Sequence, residues 1–353
     1  MRRRLYVDQT HVRGHVTGIE RVSLGLFSPE RLAPHEVVPV RSRGLPGMIL
    51  TQQLGLPLRG LLDRDALFLF AGFPPGPACA LMGDRLLLYV HDLFLLTRRD
   101  ELNARARAYM APSFALAMRT VRRFFTNSLT TAAELRRHCR PEALVAPLRP
   151  SVPDVFGLGG IAGAAPFRPG EPLRMLAIGT IEPRKDYPAA IALTEALNRA
   201  GFPAELHVVG RVGWGEHPYL AAPPPFLTLH GYLGDEALRA LAETSHLLLS
   251  TSKAEGLGLP LLEIQHGGLP VVAPEAEVFT EVLGPSGLFV RPGDPAGAAR
   301  LVAEAAVSGR LGRAAALSRP NVARWNGLAE ADTALFLAFL DRGPAVYGDR
   351  DAR

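Results

Sequence analysis

Cysteine is scarce in this chain. Among 353 residues only Cys79 and Cys139 carry a thiol, in a number and spacing that suit neither a disulfide framework nor a metal centre. Lysine is as rare: Lys185 and Lys253 are the only two, and arginine supplies the other 37 of the 39 basic residues. The N-terminus shows no secretory signal, and the charge-free run from Ala66 to Gly83 is interrupted by Pro74, Pro75 and Pro77, which disqualify it as a membrane-spanning helix. On these absences neither a disulfide-stapled secreted scaffold nor an ordinary membrane-spanning helix in that run is expected. The expected compartment is the cytoplasm.

What is present is enough chain for two domains, each with its own core. The formal charge of +5 hides an asymmetry: residues 1–150 hold 22 Arg against 12 Asp and Glu, or +10, and the remaining 17 basic and 22 acidic residues give −5. A basic half is expected to meet something anionic. In that half Leu5 to Asp8 reads as a strand and Thr17 to Leu26 as a helix, with Gly18 allowing close approach of backbone to a ligand. Further strands are expected at Glu36 to Val40, Ala66 to Phe70 and Leu86 to Val90. The last delivers His91 and Asp92 to a strand C-terminus, where open α/β sheets bind ligands. Between Arg98 and Phe125, arginines including Arg105, Arg107 and Arg119 interleave with Tyr109, Phe114 and Met118. Part of this stretch reads as a basic amphipathic helix, suited to an anionic bilayer, to an acidic acceptor or to packing on the sheet. A helix from Thr131 to Cys139 and a strand from Leu144 to Ala146 complete the half.

Pro147 to Pro172 has the Gly and Pro content of a linker. Beyond it strands and helices alternate: strands Met175 to Gly179, Leu206 to Gly210, Leu227 to Leu229, His246 to Leu249, Pro270 to Ala273 and Gly287 to Val290. The helices begin at Tyr187 (with Asp186 as cap), at Asp235, near Phe279 and at Pro295. That alternation implies a parallel sheet with ligand at the strand C-termini. The tail, Arg324 to Asn326 and then Leu328 to Leu340, reads as a last helix with an apolar stripe.

The organising stretch is Ser250-Thr251-Ser252-Lys253-Ala254-Glu255-Gly256-Leu257-Gly258-Leu259-Pro260-Leu261-Leu262-Glu263. A strand feeds a glycine-containing loop, and Pro260 sits where the first turn of a helix tolerates its missing N–H. Amides from Gly256 to Leu259, backed by the helix dipole, are expected to cradle a diphosphate. Glu255 and Glu263 flank them; as anions they suit hydroxyls at either end of such a ligand. Arg184 and Lys185, at the end of another strand, add two cations.

The run Glu255-Gly256-Leu257-Gly258-Leu259-Pro260-x-x-Glu263 resembles the signature of the retaining family-4 glycosyltransferases of GT-B fold, with Leu257 where the family usually has Phe. Thr17-Gly18-Ile19, His91-Asp92 and Gly179-Thr180-x-Glu182-Pro183-Arg184-Lys185 resemble other loops of the same family. The resemblance implies an α/β protein of GT-B fold, two Rossmann-like domains with parallel sheets facing across a cleft. It assigns residues 1–165 to an acceptor-binding domain, 166–325 to a nucleotide-sugar-binding domain, and 326–353 to a helix packing back on the first. It further implies that His91, Arg184, Lys185 and Glu255 are catalytic and that Gly18, Gly210, Tyr232, Gly256, Leu257, Gly258, Leu259 and Glu263 bind substrate. Expected is retaining transfer of a hexose from a nucleotide-diphospho-sugar of GDP-mannose or UDP-sugar type. The acceptor would be a glycan or lipid-linked molecule of bacterial envelope or exopolysaccharide synthesis, reached without cofactor, metal or nucleic acid. A peripheral contact with the inner membrane is part of this expectation. A different GT-B nucleotide-sugar activity, epimerase or phosphorylase, and a non-catalytic binding scaffold stay open.

Overall fold

A computed structural model describes residues 2–12, 17–102, 104 and 106–348. Arg105 of the basic stretch lies outside the described residues. The chain divides into two compact units, residues 1–151 with 327–353 and residues 152–326.

Unit 1 is built on strands β1 (Arg4–Asp8), β2 (Glu36–Val40), β3 (Leu67–Phe70), β4 (Leu86–Val90), β5 (Arg123–Thr126) and β6 (Leu144–Pro147). They form one parallel sheet in the order β2-β1-β3-β4-β5-β6. The runs Leu-Phe-Leu-Phe of β3 and Leu-Leu-Leu-Tyr-Val of β4 are buried at every position, as strands covered on both faces must be. From β1 the chain steps outward to β2 and then crosses to β3 on the other side, so the winding reverses between β1 and β3. The helix Gly18–Leu26 opens on a capping box, in which the Glu20 amide donates to Thr17 Oγ1 (3.3 Å) and the Thr17 amide to Glu20 Oε2 (3.0 Å).

Unit 2 carries β7 (Leu173–Ile178), β8 (Ala204–Val209), β9 (Leu227–Gly231), β10 (Leu247–Leu249), β11 (Val271–Pro274) and β12 (Gly287–Val290). Their order is β12-β11-β10-β7-β8-β9, again parallel, and the winding reverses between β7 and β10. Ligands of open α/β sheets sit at such reversals, outside the strand C-termini. The two crevices are therefore set by β1 with β3 and by β7 with β10.

Three expectations are corrected here. The Pro/Gly-rich segment is not a free linker: Val152, Leu158 and Ile161 are buried with Leu176, Leu248 and Leu262 in the unit 2 core, which moves the boundary from 165/166 to 151/152. The last helix does not start near 326 but runs unbroken as Arg310–Arg342, with Pro320 inside it and Trp325 fully buried. Residues up to 326 belong to unit 2 and those from 327 to unit 1. Part of the basic stretch is helical, as expected: Ala106–Met110 runs into Ala111–Thr120, which buries Ala111, Phe114, Ala117 and Met118. Its arginines are engaged locally, Arg98 with Glu101 (2.8 Å), Arg122 with Asp84 (3.4 Å) and Arg123 over the ring of Phe339 (5.5 Å). Asp186 precedes the helix Tyr187–Arg199 in a left-handed conformation (φ 50°) and its side chain makes no cap. Among the described residues no helix is long and apolar enough to cross a membrane.

Within unit 1 the final helix is fastened by a buried pair. Asp332 Oδ2 accepts from Arg149 Nη1 (2.8 Å) and from the Arg149 amide (3.1 Å), with both side chains under a tenth exposed. Removing one partner leaves an uncompensated buried charge, which costs about 3–5 kcal/mol. Asp332→Ala is expected to lower the urea midpoint accordingly and to deprotect the amides of residues 327–342 in hydrogen exchange.

Candidate functional site in unit 2

The loops that follow β7 and β10 lie side by side at the reversal of the sheet. They are stitched together by the Lys253 amide donating to the Arg184 carbonyl (2.9 Å) and by Thr251 Oγ1 donating to the carbonyls of Asp186 (2.8 Å) and Lys185 (3.2 Å). A third loop presses on the first: a Cβ on Gly210 would stand 1.9 Å from the Gly179 carbonyl oxygen. Gly210 is thus required by packing, whatever else it does.

The stitching brings Arg184, Lys185 and Glu255 into direct contact. Arg184 Nη1 donates to Glu255 Oε2 (2.7 Å) and to the Ala254 carbonyl (2.9 Å), and Lys185 Nζ donates to Glu255 Oε1 (2.6 Å). Arg184 Nη2 also donates to Glu182 Oε1 (2.6 Å). The Glu255 and Glu182 side chains are 9% and 6% exposed. Burial by itself would raise the Glu255 carboxyl, but Lys185 and Arg184 outweigh it and hold the acid at about 2, ionised at any physiological pH. From sequence the cations were expected on phosphate and Glu255 on hydroxyls, separately; instead they form one cluster. Ser252, Tyr187, Gly258 and Leu261 line the cavity beside it.

The helix after the motif is short. Leu259–Glu263 has five residues, preceded by Gly258 in the left-handed region (φ 76°), so the dipole behind the amides of Gly256 to Leu259 is small. Leu257 is buried in the unit 2 core, and Glu263 at the helix end is 6% exposed. Tyr232, after β9, is 83% exposed.

His91 and Gly18 belong to unit 1. His91 Nε2 lies 2.8 Å from the Ala71 carbonyl, which only an N–H can donate to, so Nε2 carries the proton and Nδ1 is an acceptor. The Ala71 carbonyl thus fixes the tautomer, and Asp92 Oδ1 accepts from the Phe94 amide (3.0 Å). Burial lowers His91 to about 4, so the ring is neutral at pH 7. Gly18 is the first residue of its helix. Sequence reasoning gave no role to Glu182, Thr251 or Ser252. Their signal was position alone: each stands within a few residues of a strand end at the same reversal.

With this geometry in view, comparison with known proteins is informative. Residues 172–306 match the family model described as Glycosyl transferases group 1. That segment contains every unit 2 residue placed at the site above. Part of the chain is 35% identical over 114 residues to the serotype-specific mannosyltransferase WbdA of Escherichia coli, and part is 32% identical over 127 residues to the O-antigen chain mannosyltransferase B of the same organism. These matches cover 30% and 34% of this chain, which spans 14% and 33% of the length of those relatives. Among solved structures, HepE of Anabaena in complex with UDP and glucose superposes over 97% of this chain and 100% of its own, with a TM-score of 0.66 and 16% identity. That likeness shows the fold, which is GT-B.

The depressed acidity of Glu255 has a consequence for stability. A carboxyl held below its ordinary 4.5 stabilises the fold fully above that value and loses the contribution as pH falls through 4.5 towards 2, on the order of 3 kcal/mol in all. Glu255→Gln lacks this titration. Urea unfolding of the two proteins from about pH 6 to about pH 3 is expected to show their stability difference shrinking with acid.

Proposed function

We propose that this chain is a retaining glycosyltransferase of the family-4 type, moving a hexose from a nucleotide-diphospho-sugar to a glycan or lipid-linked acceptor. Unit 2 holds the donor and unit 1 the acceptor. The observation that supports this most is the cluster of Arg184, Lys185 and Glu255 at the β7/β10 reversal, within the segment that matches the glycosyl transferases group 1 model. We take the donor to be of GDP-mannose or UDP-sugar type; the mannosyltransferase relatives, one of them named for the O-antigen chain, support a hexose and a role in envelope polysaccharide synthesis.

In this reading the bond between the anomeric carbon and the diphosphate breaks, and its electron pair leaves with the phosphate. Negative charge grows there while the sugar becomes cation-like, so cations at the leaving group stabilise the transition state more than the ground state. Each charge-assisted bond from Arg184 or Lys185 contributes roughly 1.5–3 kcal/mol, against at most about 1 for the dipole of the short helix. The side chains dominate, and they do so without a metal or other cofactor. Glu255 holds both cations in place and offers its oxygens to sugar hydroxyls; Glu263 takes the ribose, with Tyr232 near the base. His91 and Gly18 serve from unit 1, His91 through its acceptor nitrogen.

Two substitutions separate these roles. Arg184→Ala is expected to weaken UDP or GDP binding more than tenfold by calorimetry; unchanged affinity for both counts against the assignment. Glu255→Ala releases the cations, so transfer is lost while nucleoside diphosphate binding is kept or strengthened. Surviving transfer would remove Glu255 from the mechanism. Incubation with EDTA should leave the rate unchanged.

We assign a peripheral membrane contact to unit 1, at the helical run 44–62 rather than at the arginine-rich stretch. Leu50, Leu54, Leu58, Leu61 and Leu62 recur at helical spacing and are 56–78% exposed. Arg41, Arg43 and Arg59 accompany them and no acid occurs between Glu36 and Asp63, a charge pattern that complements anionic lipid. Leu54→Glu with Leu58→Glu should abolish co-sedimentation with vesicles containing phosphatidylglycerol. If it instead converts a dimer to a monomer, the ridge is a subunit interface.

A further inference from the structure

The reversal between β1 and β3 has its own set of chemical groups. Past the end of β1 lies His11, 6% exposed, whose Nδ1 and Nε2 have no hydrogen-bond partner among the described residues. Its ring lies against Gly72, just past β3: a Cβ there would come within 2.5 Å of three ring atoms, so only glycine leaves room. Phe73 packs on the same ring edge-on, with centroids 5.7 Å apart. The neighbouring residue Ala71 holds His91 of the next strand by its carbonyl (2.8 Å). Asn127, past β5 and 4% exposed, donates Nδ2 to the His91 carbonyl (2.8 Å), which leaves its Oδ1 as an acceptor without a partner.

Three polar atoms without a partner among the described residues thus stand past the C-terminal ends of β1 and β5, on the same edge of one sheet, each of a kind that costs about 1–3 kcal/mol to bury unpaired. Gly72 and Asn127 are two strand spacings apart, roughly 10 Å, a gap that one or two sugar rings can bridge. Burial lowers both His11 and His91 to about 4, so both rings are neutral at pH 7. Glu20 is the charged group that acts on His11, and it is an acid. A neutral imidazole with one donor and one acceptor, facing a carboxamide oxygen across that gap, matches hydroxyls at opposite ends of a neutral sugar and repays a phosphate poorly.

We infer that His11 and Asn127 form a hydroxyl-binding subsite of unit 1 that takes a neutral sugar ring of the acceptor, not its anionic part. The inference rests on the glycosyltransferase reading above and deepens it by naming the recognised end of the acceptor. In this scheme His11 is a positioning residue.

The test uses the full chain labelled with isotopic nitrogen at histidine, titrated with methyl glycosides of mannose, glucose and galactose and, separately, with inorganic phosphate. The His11 ring signals, assigned by their loss in His11→Phe, are expected to shift with at least one glycoside and not with phosphate. No shift with any glycoside, or an equal shift with phosphate, overturns the inference. With that glycoside, His11→Phe should weaken binding at least tenfold and His11→Gln, which retains a donor and an acceptor, should restore most of it. UDP and GDP affinity should be unchanged in both variants. Loss of nucleotide affinity in His11→Phe would mean that the ring serves the donor, and the inference fails. Failure of the broader reading shows elsewhere, as nucleotide affinity that Arg184→Ala does not alter.

Discussion

One carboxylate shared by two cations governs unit 2. Glu255 takes Lys185 on one oxygen and Arg184 on the other, and Arg184 reaches a second acid, Glu182. Two cations gathered on one small patch would repel by several kcal/mol at the dielectric of a protein surface, on the order of 4 at 4 Å. Two buried acids cancel that repulsion and leave a cluster of no net charge. Such a cluster is stable only if its members cannot drift. The hydrogen bonds from Thr251 and the Lys253 amide to the β7 loop, and the close contact of Gly210 with Gly179, are what prevent it. Local backbone geometry and site electrostatics are therefore the same constraint seen at two scales.

The sheet decides where that constraint can be met. A parallel strand ends its apolar run at the C-terminal edge, and the next residues must leave the sheet there. At most positions the loops diverge to helices on the same side. At a reversal of winding they diverge to opposite sides and leave a crevice between them. Unit 2 fills its crevice with the loops after β7 and β10, and unit 1 places His11 and Gly72 in the equivalent crevice after β1 and β3. Different strand orders thus lead to the same placement of chemistry.

This logic also explains what was legible beforehand. Continuous apolar runs such as Leu86 to Val90 and Leu247 to Leu249 announce buried parallel strands, and their alternation with helices announces the fold. The motif residues were visible because Glu, Arg, Lys and Gly are unusual company for strand ends. Contacts were not visible. Nothing in the chain's order says that Glu255 closes on both cations, because that depends on which strands are neighbours. The long helix was hidden by Pro320, whose missing N–H normally marks an end but is tolerated inside Arg310–Arg342. The segment after Pro147 looked like linker because Val152, Leu158 and Ile161, its contributions to the unit 2 core, make no periodic pattern among many Gly and Pro. The charge excess of the first half says nothing of pairing: Arg98, Arg122 and Arg123 meet acids already counted in it, and Arg149 meets Asp332 from beyond it.

The two crevices differ in kind, and the difference bears on how substrates would be kept apart. In unit 2 the groups are ionised, and a neutral hydroxyl entering alone would have to compete with bonds of 2.6–2.7 Å between full charges. A diphosphate can compete, because it replaces one anion by another of greater charge. In unit 1 the groups are neutral, and a diphosphate entering there would lose its hydration for bonds from uncharged partners, with the acid Glu20 opposing it. A hydroxyl pays little for the same exchange. Discrimination then comes from what each crevice repels as much as from what it attracts, and it requires no difference in crevice size.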